Sequence, residues 1–115
     1  MAMDERRMFK RFNVEIPVKF LVVEENKEGT GKIVDISAGG VGLVITLERI
    51  QPLSHLEMWL EMPENDEPYH ISGQVVWLRQ VQPHVHRVGV QFDKVDFMGM
   101  SKVLRVKGVL RDTAA

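Results

Sequence analysis

From Val14 onward the sequence alternates. Val14, Ile16, Val18, Phe20 and Val22 are apolar, with Glu15, Pro17 and Lys19 set between them. A side-chain period of two puts every apolar residue of such a run on one face of a strand and leaves the other face to water. The pattern returns in Val41, Leu43, Ile45 and Leu47, in Leu56, Met58, Leu60 and Met62, in Ile71, Val75 and Trp77, and in Val88, Val90 and Phe92. Lys32 to Ile36 supplies a shorter strand between the first and third runs. Turns are expected at Glu24 to Gly29, after Asp35, in the acidic stretch Pro63 to Pro68, and at Gln80 to His84. Six short strands at this spacing predict a mostly all-β chain folded as a small six-stranded antiparallel barrel, because closing the sheet removes the exposed edges that an open sheet would leave.

After Asp93 the period changes. Phe97, Met100, Leu104 and neighbouring Val103, Lys107 and Leu110 recur at three and four residues, which predicts a C-terminal α-helix from about Phe97 to Arg111 that caps one barrel mouth. Gly99 and Gly108 fall inside it, each at a cost of up to about 1 kcal/mol against alanine. Lys102, Arg105, Lys107 and Arg111 suit the negative end of the helix dipole and read as a solvated face.

A chain of 115 residues with 44% hydrophobic and 27% charged residues is the size and composition of one globular domain. Lys and Arg total 15 against 16 Asp and Glu, a balance that argues against a general nucleic-acid coat or a polybasic membrane binder. There is no cysteine, so disulfides, thiolate metal sites and thiol nucleophiles are excluded. No apolar run approaches the length of a membrane span and the N-terminus lacks a signal-peptide core, so membrane insertion is not expected and the expected location is the cytoplasm. Charge is local: Arg6, Arg7, Lys10, Arg11 and Lys19 make the front basic, and Glu57, Glu61, Glu64, Asp66 and Glu67 make the middle acidic.

Two short polar motifs carry the chemistry. Arg7-Met8-Phe9-Lys10-Arg11 sets two guanidinium forks four positions apart, suited to phosphate oxygens, to a guanine edge, or to stacking on a base. Asp35-Ile36-Ser37-Ala38-Gly39-Gly40 sets a carboxylate, a hydroxyl and two glycines on one turn: an acceptor for guanine N–H groups, a small donor, and close backbone approach. Together they read as a phosphate-and-purine clamp.

The order and separation of Arg6-Arg7-x-x-x-Arg11 and Asp35-x-Ser37-x-x-Gly40 resemble the signature of PilZ domains, bacterial receptors for the second messenger cyclic di-GMP. Gly40-Val41-Gly42-Leu43, Ser72-Gly73-Gln74-Val75-Val76-Trp77 and Val88-Gly89-Val90-Gln91-Phe92 are similar to the barrel strands of that family. The resemblance implies a six-stranded barrel with a C-terminal helix, residues 1–12 as a flexible arginine-rich arm, and residues 13–115 as barrel and helix. It also implies a cyclic di-GMP site made of Arg6, Arg7, Arg11, Asp35, Ser37, Gly39 and Gly40. Arg7 and Arg11 would meet guanine edges and phosphates, Asp35 and Ser37 would bond the other side, and Gly40 would permit the turn. Ordering five arm residues costs roughly 5 to 10 kcal/mol, more than two bidentate arginine contacts at about 1 to 3 kcal/mol each return. Stacking and charge pairing must supply the rest, which sets the expected affinity nearer micromolar than picomolar. With no fused effector segment in the sequence, the signal is expected to leave through a downstream partner protein or a second copy of the chain, in control of motility, polysaccharide or biofilm.

No cofactor, metal or catalytic role is expected. His84 and His86 flank Val85 and would share a strand face, but no third ligand lies nearby in sequence. His55 and His70 read as isolated surface residues, Trp77 as core, and Trp59 as a candidate partner contact. There is no nucleophile elbow and no phosphate loop before a helix. The competing classes are a barrel adaptor that does not use the nucleotide, and a barrel for single-stranded nucleic acid; for the latter, 7% aromatics leave few stacking platforms.

Overall fold

A computed structural model describes residues 10–62, 67–106 and 108. Six strands, β1 (Phe12–Val22), β2 (Lys27–Ile36), β3 (Gly40–Thr46), β4 (His55–Leu60), β5 (Tyr69–Gln82) and β6 (Val85–Phe92), precede one helix, α1 (Phe97–Val106). The strands close into a barrel in the order β1-β2-β3-β6-β5-β4, every neighbouring pair antiparallel. The alternating residues of β1, β3, β4 and β6 turn inward as the period demands: Ile16, Val22, Leu43, Ile45, Leu56, Met58, Leu60 and Val88 have no exposed surface. Met100, Val103 and Leu104 of α1 join the same core. Their spacing of three and four lays one apolar stripe of the helix on it.

The structure departs from the sequence reading in local ways. β2 begins at Lys27 rather than Lys32, because the turn closes within three residues of 3-10 conformation and Asn26 at φ 51°. Its polar start pairs with the end of β1, and Phe20 fills the space above Gly29 that a Cβ would need. The β5–β6 turn is tighter than expected, only Pro83 and His84, with His84 at φ 64°. Proline fixes φ at the first central position and the second takes the left-handed conformation, the pattern of a type II turn. α1 ends at Val106, where Gly108 at φ 76° donates its N–H to the Arg105 carbonyl. The left-handed glycine stops the helix; Lys107, Leu110 and Arg111 lie outside the described residues, as do positions 63–66 of the acidic loop.

Trp77 is not core. A register shift between Val75 and Trp77 inserts one residue, so that Leu78 rather than Trp77 packs on the interior and the indole stands half-buried on the outer face. A bulge reverses the side-chain phase beyond it, which period counting alone does not foresee. His84 and His86 do not share a face either: His84 forms the turn, and His86 is buried.

His55 and His70 are on the surface but not isolated. Glu57 Oε1 lies 2.5 Å from His70 Nε2 and accepts a hydrogen bond from Ser72 Oγ at 2.7 Å. Half-buried Trp59 packs its ring centroid 5.3 Å from that of His70. Glu24 accepts the His55 backbone N–H at 2.9 Å and lies 2.5 Å from His55 Nδ1. The side-chain bond to Glu24 raises the His55 pKa above 6.5, and the bond from His55 lowers the Glu24 pKa below 4.5. The His55 contribution to stability is therefore complete below about pH 6.5 and lost as pH rises through its raised value; that of Glu24 is lost as pH falls through its lowered value. An NMR titration is expected to place His55 above an ordinary exposed histidine, and Glu24→Gln to return it to the ordinary range. An unchanged His55 midpoint in that variant would contradict the pairing.

Candidate functional site

The second motif closes on itself. Ser37 Oγ accepts the N–H groups of Gly39 and Gly40, each at 3.2 Å, and donates to the Gly40 carbonyl at 3.3 Å. The Ser37 N–H reaches the same carbonyl at 2.9 Å, and the residue is 2% exposed. The hydroxyl that the sequence reading gives to the ligand also holds the corner. Gly40 takes no left-handed conformation; among the described residues Gly108 is the glycine with positive φ. Gly40 is required instead by close approach, since a Cβ there would collide with the Val90 carbonyl on β6. The corner is tied to its surroundings by Phe92 N–H to the Gly39 carbonyl at 2.8 Å and Asp96 N–H to the Ala38 carbonyl at 3.0 Å.

Asp35 faces outward through a second irregularity. A register shift between Ile33 and Asp35 lets Ile33 and Ile36 both bury fully although they are three apart, and leaves Asp35 on the outer surface. There its Oδ1 accepts Arg11 Nε at 3.1 Å and also Arg11 Nη2. The two side chains are 29% and 24% exposed, so the pair is partly shielded from water yet open to a ligand. Lys10, beside it in sequence, lies 5.3 Å from the Phe12 ring centroid.

Asp35 Oδ2 lies over Gly42, where a Cβ would come within 2.6 Å of it. Gly42 is paired across the sheet with Gly89, and Trp77 lies over Gly89. Carboxylate and indole thus lie low on the sheet above two glycines one strand apart. Arg87, one outward position along β6 from Gly89, has a buried Nε with no hydrogen-bond partner among the described residues. The arrangement offers an aromatic plane, a carboxylate acceptor and guanidinium donors on a shallow shelf, the groups that a purine and a phosphate need.

Of the residues singled out from sequence, Arg11 and Asp35 are in contact, and Ser37, Gly39 and Gly40 form the adjoining corner. Arg6 and Arg7 lie outside the described residues. Sequence reading did not assemble Gly42, Gly89 and Trp77 into the shelf. Glycine at outward positions of two apolar runs was a signal, but only the pairing register sets them side by side.

The sequence profile of the PilZ domain matches residues 5–105. The chain belongs to the PilZ domain family. No curated protein sequence matches it. This PilZ barrel resembles the PilZ domain with c-di-GMP of YcgR from Escherichia coli, with TM-score 0.67, 15% identity and 91% of each chain covered. It also resembles the inhibitor of motility MotI/DgrA of Bacillus subtilis, with TM-score 0.64 and 17% identity over 91% of this chain and 51% of that one. The PilZ domain of CeSA from a cellulose-synthesizing bacterium matches with TM-score 0.57 and 15% identity over 86% of this chain and 95% of that chain. At these identities the likeness establishes the shared fold. No helix among the described residues is long and apolar enough to cross a membrane.

Proposed function

We propose that this PilZ domain binds cyclic di-GMP with the Arg11–Asp35 pair and the shelf beside it, and passes the signal to a protein partner in the cytoplasm. The contact between Arg11 and Asp35 carries the reading: the two motifs are brought together on the outer face of the barrel, next to a half-buried indole. Arg7, with Arg11, is assigned to the ligand's guanine edges and phosphates, and Arg6 stands beside it as a further ligand-binding arginine. Ser37, Gly39 and Gly40 hold the corner, from which Asp35 and Ser37 are assigned to bond the guanine and phosphate on the side opposite the arginines. Membership of the family, and the cyclic di-GMP named with the YcgR domain, support the choice of nucleotide. Motility, polysaccharide or biofilm control is the process that follows from such a receptor, with no reaction catalysed.

Calorimetric titration with cyclic di-GMP tests the reading. Binding in the micromolar range is expected. Because the ligand is a dianion meeting arginines that are partly exposed, the affinity is expected to fall on the order of tenfold between low and high salt. No heat and no thermal shift at a hundredfold ligand excess over a micromolar Kd, where about 2.7 kcal/mol of stabilisation is due, would move the function to a protein adaptor that does not use the nucleotide.

A further inference from the structure

Asp96 stands where three elements meet. Its main-chain N–H donates to the Ala38 carbonyl at 3.0 Å, inside the corner of the second motif. Its Oδ1 accepts the Gly99 N–H at 2.8 Å, three residues on, which makes it the N-cap of α1. Its Oδ2 accepts the Tyr69 hydroxyl at 2.5 Å, from the first residue of β5. Its carbonyl accepts the first turn of the helix through Met100 N–H at 3.1 Å. Gly99 leaves the room for this junction: a Cβ there would fall on both the Tyr69 hydroxyl and the Asp96 carboxylate. Burial first, then Asp96, push the Tyr69 phenol up to about 12, so it remains a donor throughout the neutral range.

We infer that Asp96 is a positioning residue for the nucleotide site, locking the Ala38–Gly39 corner to the seated helix. The inference rests on the proposed cyclic di-GMP site. Met100, Val103 and Leu104 are at most 3% exposed and fix α1 on the core. The capped first turn in turn fixes the Asp96 backbone, and through it the Ala38 carbonyl. Gly39, next in the chain, is held from its other side by the end of β6. The corner that presents Asp35 and Gly40 is therefore pre-formed to the extent that the helix start is seated, and by thermodynamic reciprocity a ligand held by the corner tightens the helix start.

Amide hydrogen exchange without ligand tests the lock. In Asp96→Ala the amides of Gly39, Gly40 and Phe92 are expected to exchange about tenfold faster, while those of Phe20 and Val22, at the end of β1 far from the corner, keep wild-type rates and report an intact fold. Asp96→Asn keeps one oxygen for the Gly99 N–H and turns its amide N–H toward the Tyr69 hydroxyl oxygen, which accepts it in place of donating, and is expected to restore wild-type exchange. Tyr69→Phe, which removes only the phenol donor, is expected to fall between and serves in place of the alanine variant if that one does not fold. Acceleration confined to α1, or equal damage in the asparagine variant, overturns the inference. In the second arm, cyclic di-GMP affinity is expected to fall about fivefold in Asp96→Ala and to recover in Asp96→Asn, the loss a missing N-cap oxygen brings. Unchanged affinity in the alanine variant overturns the link to the site. A wild-type protein that binds no nucleotide removes the functional reading instead, and the exchange arm still decides the lock.

Discussion

Replacing Arg11 by alanine is expected to weaken cyclic di-GMP binding about a hundredfold, with little change in melting temperature. The loss has two sources. A charge-assisted or bidentate arginine contact to a phosphate or guanine edge contributes about 1 to 3 kcal/mol. The second source is particular to this structure. Arg11 places both its Nε and Nη2 on one oxygen of Asp35, so without it a 24% exposed carboxylate faces an incoming dianion with its counter-charge gone. Together the two effects reach roughly 2.7 kcal/mol, which is the hundredfold. Stability moves little, because an ion pair this open to water contributes at most about 1 kcal/mol. Arg11→Lys separates charge from geometry: it keeps the cation, loses the fork, and is expected to recover only part of the affinity. Calorimetry of the three proteins reads the series, and an alanine variant within threefold of wild type would remove Arg11 from the site.

Part of the entropy that a disordered arm would give up on binding is already lost here. Phe12 begins β1 and pairs with Ile36, and Asn13 pairs with Asp35, so Arg11 stands one residue from a fixed strand with its fork already held by Asp35. Each backbone residue ordered in advance spares the ligand about 1 to 2 kcal/mol. Contact with the nucleotide can then use a guanidinium whose direction is set rather than searched for.

The barrel was legible because its strands are half-buried and period two is unambiguous there: Val14 to Val22 and Leu56 to Met62 could only face one way. What alternation does not show lies where one residue breaks the period. The bulge before Trp77 turns an apparent core indole outward, and the bulge before Asp35 turns a carboxylate out between two buried isoleucines. A bulge leaves no fixed trace in hydrophobicity, because either phase reads as alternation. β2 was shortened because Gly29 and Gly31 look like turn residues, while their role is space for neighbouring strands. The site's two motifs were legible as chemistry, but their contact with Gly42, Gly89 and Trp77 depends on the order in which the barrel closes. That order is set by the fit of whole faces. The histidine pairs escaped for the same reason: Glu24 is thirty-one residues from His55, and Glu57 thirteen from His70.

The two glycines of Gly40-Val41-Gly42 are expected to respond to the same substitution in opposite ways. A methyl at 40 meets the Val90 carbonyl, which is main chain held in the β3–β6 ladder by the Val41–Val90 pair and cannot move without disturbing that pairing. Overpacking of this kind costs about 1 to 3 kcal/mol, and for a domain of this size each kcal/mol lowers Tm by about 4 to 8 °C. A methyl at 42 meets only the end of the Asp35 side chain. The carboxylate can swing aside, and alanine in a strand is itself about 0.5 to 1 kcal/mol better than glycine, so Gly42→Ala is expected to melt within a few degrees of wild type. Its effect falls on binding. Displacing Oδ2 from above Gly42 withdraws the carboxylate from Arg11 and raises the floor of the shelf between Asp35 and Trp77, and a loss of tenfold or more in cyclic di-GMP affinity is expected, the scale of one misplaced charged contact. Thermal melts and calorimetry on the two variants make the comparison. A Gly42→Ala protein that is stable and binds as tightly as wild type would show that the nucleotide does not lie on this shelf; a stable Gly40→Ala protein would show that the β3–β6 ladder has room the structure does not contain.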